Sequence, residues 1–260
     1  MLLAIDVGNT QTHLGVFERE KLIHEWRAAT DQRRTADELA LMFGEFLRFA
    51  DLSFSREITG VAIASVVPRA TQELRAMTVK YFGFPPVVVE PGVKTGIVIR
   101  IDNPKEVGAD RVANSVAARE LFPHEPVIVV DFGTAINFDV VTRVGEYIGG
   151  ALAPGLESSA TALFQATARL PRVELVAPPT TIGKNTVFAV QSGIVFGVAA
   201  LVDGLVQRTM AELDDDARVV ATGGHAETVI EHCRTIERVE PTLTLLGLRL
   251  IFDRNPRGAA

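Results

Sequence analysis

A single cysteine, Cys233, in 260 residues excludes a disulfide framework and any cysteine-built metal site. The five histidines, His13, His24, His124, His225 and His232, show no metal-ligand spacing, and none lies four residues from another. Positive charge is also short: 26 Lys and Arg against 32 Asp and Glu give a formal net charge of −6. That excludes a protein gripping nucleic acid by a broad basic face. The pattern Gly-x-x-x-x-Gly-Lys-Ser/Thr is missing, so Lys184 is not a P-loop lysine and a Walker-type enzyme is excluded. The chain opens on a strand-like run without a basic segment, an apolar leader or a cleavage pattern, which sets the expectation of a cytoplasmic protein. The longest apolar tract, Phe188 to Val206, is interrupted by Gln191, Ser192 and Asp203 and reads as a buried helix, with no membrane partner.

What the chain does have is apolar material, 47% of its residues, enough for one large core or two ordinary ones. Leu2 to Ile5 and His13 to Phe17 read as antiparallel strands about a Gly-Asn-Thr turn, with Lys21 to Thr30 as a third. A helix follows, with Leu39, Met42, Phe43, Phe46 and Leu47 at helical spacing and Thr35 and Glu38 as a capping box. Gly60 to Pro68 is an apolar strand, Ala70 to Gly83 a helix stopped by glycine, and Pro85 to Gly92 another strand. After a helix from Gly108, the pattern restarts at Pro126 with strands through Val141 and from Glu146 to Gly155. Helices are expected from Glu157 to Ala168 and from about Asn185 to Leu213. A strand then runs into the glycine turn Gly223-Gly224, and a further helix follows. This order implies mixed sheets flanked by helices.

The stretch Asp6-Val7-Gly8 has a near-copy at Asp131-Phe132-Gly133, offset by 125 residues, and the same offset places Val16 on Val141. Repetition at half the chain length predicts two similar domains, 1–114 and 115–260. At a strand end, glycine permits the turn and leaves backbone N–H groups open to phosphate oxygens, while a carboxylate suits a cation. Alone, such a turn is equally at home as plain structure. Paired, two hairpins opposed across a cleft would hold a nucleotide's phosphates from both sides, and Val219 to Gly224 adds a third glycine turn.

The two hairpins and the late glycine turn resemble the superfamily of acetate and sugar kinases, Hsp70 chaperones and actin. More narrowly, "DVGNTQTHLGVF", "NPKEVGADR", "DFGTAINFDVV", "GGALAPGL" and "IGKNT", in that order, resemble type III pantothenate kinase. The resemblance implies two ribonuclease-H-like (actin-like ATPase) domains with a cleft between them, and ATP-dependent phosphorylation of pantothenate, the first step of coenzyme A biosynthesis. It implies that Asp6, Val7, Gly8, Asn9, Thr10, Gln11, Thr12 and His13 form the first ATP loop, with Thr134 also meeting ATP. Asp131 would hold a monovalent cation, K⁺ or NH4⁺, and Mg²⁺ would accompany ATP. Gly108, Ala109, Asp110, Arg111 and Thr186 would bind pantothenate, with Asp110 accepting the hydroxyl proton. A homodimer is implied as well.

The residues themselves leave alternatives. Asp110 lies near a helix start, where any carboxylate is favoured by the dipole. Arg111 could pair with the substrate carboxylate or brace Asp110. Thr186 could be an N-cap or a substrate contact. The small residues Gly193, Gly197 and Ala200 would admit a second helix, in the core by sequence alone or at a dimer seam by the resemblance. Ile136 and Asn137 stand where relatives often carry hydroxyl residues, and Ile101 where they often carry tyrosine. Two other functions compete: a non-catalytic regulator of the Bvg accessory factor type on the same scaffold, and a kinase of another small hydroxy acid.

Overall fold

The computed structural model describes residues 1–54, 56–167 and 170–255. The chain forms two compact units: Met1–Ile97 with Asp102–Ala117 and Thr242–Ala260, and Val98–Ile101 with Ala118–Pro241. Neither unit is continuous in sequence, unlike the division at 114 and 115. The last helix returns to the first unit because its apolar face covers that unit's sheet.

In the first unit, β1 (Leu2–Val7), β2 (Gln11–Glu18), β3 (Lys21–Ala29), β4 (Gly60–Ser65) and β5 (Val87–Val88) make a mixed sheet ordered β3-β2-β1-β4-β5. β1 is apolar on both faces through Ile5 and takes the centre, antiparallel to β2 and parallel to β4. Helix α1 (Ala36–Phe49) begins with the expected reciprocal Thr35 and Glu38 capping box. α2 (Pro68–Met77) starts on a proline, and the rest of its expected length is a π turn, Thr78–Phe82, closed by Gly83 at φ 78°. Leu3, Ile5, Phe43, Leu47 and Leu74 form the core under these helices. α3 (Ala109–Leu121) begins in this unit.

In the second unit, β6 (Val98–Ile99), β7 (Val127–Phe132), β8 (Ala135–Val141), β9 (Glu146–Pro154), β10 (Arg218–Thr222) and β11 (Arg238–Val239) are ordered β11-β10-β7-β8-β9-β6. Its helices are α4 (Leu156–Ala166), α5 (Thr186–Leu213) and α6 (Ala226–Ile230). The expected end of α4 at Ala168 lies outside the described residues.

Read from its third strand, each sheet has the same order and directions: β3-β2-β1-β4-β5 against β9-β8-β7-β10-β11. The duplication therefore extends to topology. Its register differs by one residue from the simple offset. Leu3 pairs with Val16, but Ile128, its counterpart, pairs with Val140 rather than Val141. The cause is the turn: Gly8 N–H donates to Gln11 O, whereas Gly133 N–H reaches Ala135 O, so the second hairpin is one residue tighter.

α5 is long and apolar enough to cross a membrane by length and composition. It is instead a core helix, with Val190, Ile194, Val198, Val202 and Val206 in the second unit's apolar cluster. Its polar interruptions each have work: Gln191 donates to Glu174 O (3.0 Å) and Ser192 to Thr181 O (2.7 Å). Asp203 accepts from the backbone N–H groups of Arg234 and Thr235, holding the turn after α6. Beside it, Cys233 is half-buried and its thiol is pushed up to about 12 by burial, so it is no thiolate nucleophile. α7 (Leu243–Arg254), which the sequence reading did not anticipate, completes the first unit.

Candidate active site

The first hairpin has a rigid stem and an open tip. Val7 is buried in the core, so only its backbone serves the turn, while Asn9, Thr10 and Gln11 are exposed. Gly8 N–H closes the turn on Gln11 O at 2.9 Å, and a Cβ at Gly8 would press on that oxygen at 3.1 Å. Thr12 is buried, its hydroxyl 2.9 Å from that of Thr30, whose N–H donates to Thr10 O at 2.9 Å. These bonds pin β2 to the segment after β3, and the Arg27 guanidinium donates to Gln11 Oε1 at 2.9 Å, so the exposed tip stands on a held stem.

His13 stands apart from the tip. It is buried in the sheet opposite Asp6, with Nε2 2.9 Å from a Glu25 carboxylate oxygen. Burial, then the nearby Arg27 guanidinium, lowers its pKa below the usual histidine value against the pull of Glu25. A neutral ring donating Nε2–H to Glu25 follows. A depressed folded pKa gives stability that is present above the unfolded value, about 6.5, and lost as pH falls through the folded value. Thermal melts of the natural protein should therefore show Tm dropping as pH falls below about 6.5, and His13→Gln should flatten that drop. An unchanged slope in the variant would assign the acid sensitivity to other groups.

The Asp110 segment approaches this hairpin through one intermediary. Val66, just past β4, donates its N–H to Val7 O at 3.1 Å, and its Cγ1 lies 3.4 Å from where a Cβ on Gly108 would stand. A 3-10 turn, Pro104–Glu106, capped by Asn103 delivers the chain to Gly108. A Cβ at Gly108 would overlap Asp110 Oδ1, so a larger residue there would push the carboxylate from its place over the helix start. Asp110 Oδ1 also accepts the Arg111 N–H at 2.8 Å. Burial raises the Asp110 pKa; the Arg111 N–H and guanidinium oppose that shift without cancelling it. A desolvated carboxylate at a helix start has the character of a proton acceptor, which the plain helix-charging role does not need. Ala109 and Arg111 are half-buried beside it.

The second hairpin is held from two sides. Val127 to Val130 are fully buried, and Asp131 at the strand end is half-exposed. Thr134 sits on the exposed tip, and its carbonyl accepts Gly155 N–H (3.1 Å) and Ser158 Oγ–H (2.7 Å) from the first turn of α4. A Cβ at Gly155 would overlap Gly133 O and come 2.6 Å from Thr134 O, so the helix seats directly on the turn. Opposite, Gly223 at φ 95° crosses the end of β7, where a Cβ would lie 2.6 Å from Asp131 Oδ1. His225 N–H donates to Phe132 O at 3.3 Å from the same glycine turn. None of these α4 and Gly223 contacts was legible as partnership, although "GGALAPGL" and "VVATGG" marked both segments.

Two departures in the second hairpin acquire reasons. Ile136 is fully buried in the core and cannot reach a phosphate, and Asn137 is the cross-strand partner of Asp131. Ile101 packs toward Gly149, where its Cγ2 would be 3.5 Å from a Cβ. Thr186 is not the cap of α5: Asn185 is, its Oδ1 accepting Phe188 N–H at 2.8 Å. Thr186 is left exposed on a groove of about 970 Å³ in the second unit, lined also by Leu163, Gly193, Gly197 and Leu201. The small residues therefore do not pack in the core: nothing lies within 4 Å of a Cβ built at Gly193 or Gly197, and Ala200 is exposed.

Among the described residues no group of three His, Cys, Asp or Glu side chains could hold a metal ion. The donor set at Asp131 is one carboxylate beside the backbone of two glycine turns, Gly133 and Gly223, all of it oxygen. That fits a hard, singly charged, oxygen-liking cation rather than a transition metal.

The profile of the type III pantothenate kinase family matches residues 2–208. A type III pantothenate kinase of Frankia casuarinae is 54% identical over 256 residues, 98% of this chain and all of that one. Among solved structures, a conserved protein from Campylobacter jejuni, provisionally described as a Baf family transcriptional activator, superposes at TM-score 0.60 with 19% identity over 98% of each chain. The ROK hexokinase of Thermus thermophilus does so at TM-score 0.54 with 17% identity over 96% of this chain and 97% of that one. Both structural likenesses establish the fold, two mixed sheets with helices of the sugar kinase and actin-like ATPase kind. With whole-length identity above half and the profile spanning both hairpins, the chain belongs to the type III pantothenate kinase family.

Proposed function

We propose that the family's reaction, ATP-dependent phosphorylation of the pantothenate hydroxyl at the first step of coenzyme A biosynthesis, runs on this chain with Asp110 as proton acceptor. The observation that supports the reading is the desolvated Asp110 carboxylate at the start of α3, two residues from Gly108, near which lies Val66, itself bonded to Val7 O. The tip Gly8 to Gln11 takes phosphate oxygens through backbone amides and side-chain hydroxyl and amide groups. Asp6 at the strand end would belong to the same ATP loop, and Mg²⁺ accompanying ATP would supply charge neutralisation of its phosphates. Val7, Thr12 and His13 shape the hairpin from within the sheet. Thr134 is the ATP contact of the second hairpin.

Asp131 would hold a monovalent cation, which when bound supplies charge that offsets the triphosphate. Gly108 to Arg111 bind pantothenate, Arg111 offering a two-pronged donor to its carboxylate. Because phosphoryl transfer depends chiefly on positioning and charge neutralisation, a carboxylate suffices to orient the hydroxyl and take its proton. The groove beside α5 is closed by a second copy of the chain, which brings Thr186 to the substrate. Sedimentation showing only monomers at working concentration would remove that part. The enzyme acts in the cytoplasm.

The test is a coupled ADP-release assay across small hydroxy acids, with and without potassium. Turnover dependent on pantothenate and raised by K⁺ is expected. Folded protein that releases no ADP with pantothenate, ATP, Mg²⁺ and K⁺ would overturn the reading, and turnover with a different acid alone would redirect it.

A further inference from the structure

We propose that α7 is a positioning element for the Asp110 carboxylate, acting through two keyed contacts on α3, the Thr244–Asn114 hydrogen bond and the backbone crossing of Gly247 over Ala113. The inference rests on the assignment of Asp110 as proton acceptor. It concerns residues beyond the stretch 2–208 that the family profile matches.

Thr244 Oγ1–H donates to Asn114 Oδ1 at 2.7 Å, across 130 residues of sequence, and Asn114 is fully buried. Asn114 follows Asp110 by four positions, so the two side chains leave the same face of α3 one turn apart. A bond at Asn114 therefore fixes the rotation of that face about the helix axis, where each residue step is about 100°. At Gly247 a Cβ would overlap the Ala113 carbonyl oxygen and come 2.9 Å from its Cα. The two helices thus meet backbone to backbone, and the missing side chain sets their separation.

The same stretch of α7 is keyed to the hairpin. Leu245, next to Thr244, puts Cδ1 2.7 Å from where a Cβ on Gly15 of β2 would be, and the Phe252 ring fills the space beside Gly60 of β4. One helix therefore touches the strand that carries Thr12 and His13 and the helix that carries Asp110. Its seating sets the gap between acceptor and phosphate loop, the distance on which in-line transfer depends. Arg249 and Asp253 on the helix pair with each other (2.9 Å) and are not needed for either contact.

The experiment is steady-state kinetics with pantothenate and ATP for Thr244→Val, Thr244→Ser, Gly247→Ala and Asp110→Asn, well below the lowest Tm, beside Tm and ADP affinity by calorimetry. Thr244→Val keeps the shape and removes the donor. It should lower kcat on the order of tenfold, short of the hundredfold that a 1 Å misplacement costs, with KM for ATP and ADP affinity within about twofold. Thr244→Ser should restore kcat, and Gly247→Ala should lower it further. If Gly247→Ala does not fold, the Val and Ser pair decides. Thr244→Val with reduced Tm but kcat within about twofold, while Asp110→Asn is inactive, overturns the proposal and leaves the acceptor assignment standing. An active Asp110→Asn overturns the acceptor assignment, and this proposal with it.

Discussion

Asp110→Asn should lower kcat by about 10²- to 10⁴-fold, the range a positioned acid or base contributes, while ADP affinity stays and Tm holds or rises. The asparagine keeps size and can still sit over Gly108, but it takes no proton. The Tm direction follows from linkage. The folded pKa of Asp110 is raised by burial, so the group contributes stability fully present below its unfolded pKa, about 3.9, and lost as pH rises through the folded value. Above the unfolded value the buried carboxyl group therefore costs stability, which the amide avoids. Loss of turnover together with an equal or higher Tm is the signature of a group retained for chemistry. Unchanged turnover would refute the acceptor role.

Gly223→Ala should cost both stability and nucleotide handling. At φ 95° an alanine is strained by roughly 1–2 kcal/mol, and its Cβ would come 2.6 Å from Asp131 Oδ1 and from the backbone of Phe132. Each kcal/mol is about 2–4 °C of Tm for a domain of 150–250 residues, so a fall of several degrees is expected. More telling is function: kcat/KM for ATP should fall about a hundredfold, the cost of misplacing a group near the chemistry by 1 Å, and K⁺ activation should disappear. Asp131→Asn separates the causes, because it removes the charge without moving the turn. It should abolish K⁺ dependence with little change in Tm, and a K⁺ response that survives both substitutions would remove the cation from Asp131.

Much of this was legible in order along the chain. The apolar run ending at Asp6, the capping box at Thr35 and Glu38, and the second Asp-x-Gly turn are local patterns, each set by neighbours within a few residues. The candidate site residues were named for the same reason: carboxylates and glycines at strand ends stand in short motifs. The direction of the His13 side chain was not legible, because position in a loop motif does not reveal which way a strand residue points. Its ring went into the sheet to meet Glu25. Thr186 was one residue from the cap: Asn185 has the extended backbone of a cap and its Oδ1 accepts the Phe188 N–H three residues on.

By itself, then, the sequence determined the two hairpins, their carboxylates, the helices between them and the duplication, since periodicity and turn chemistry act within a window of a few residues. Only the tertiary structure decided that α7 returns to the first unit, that Val66 joins Val7 to Gly108, and that α4 seats on Thr134. Those contacts join segments dozens to more than a hundred positions apart. Their geometry depends on helix crossings and turn lengths to within an ångström, and no local pattern encodes that.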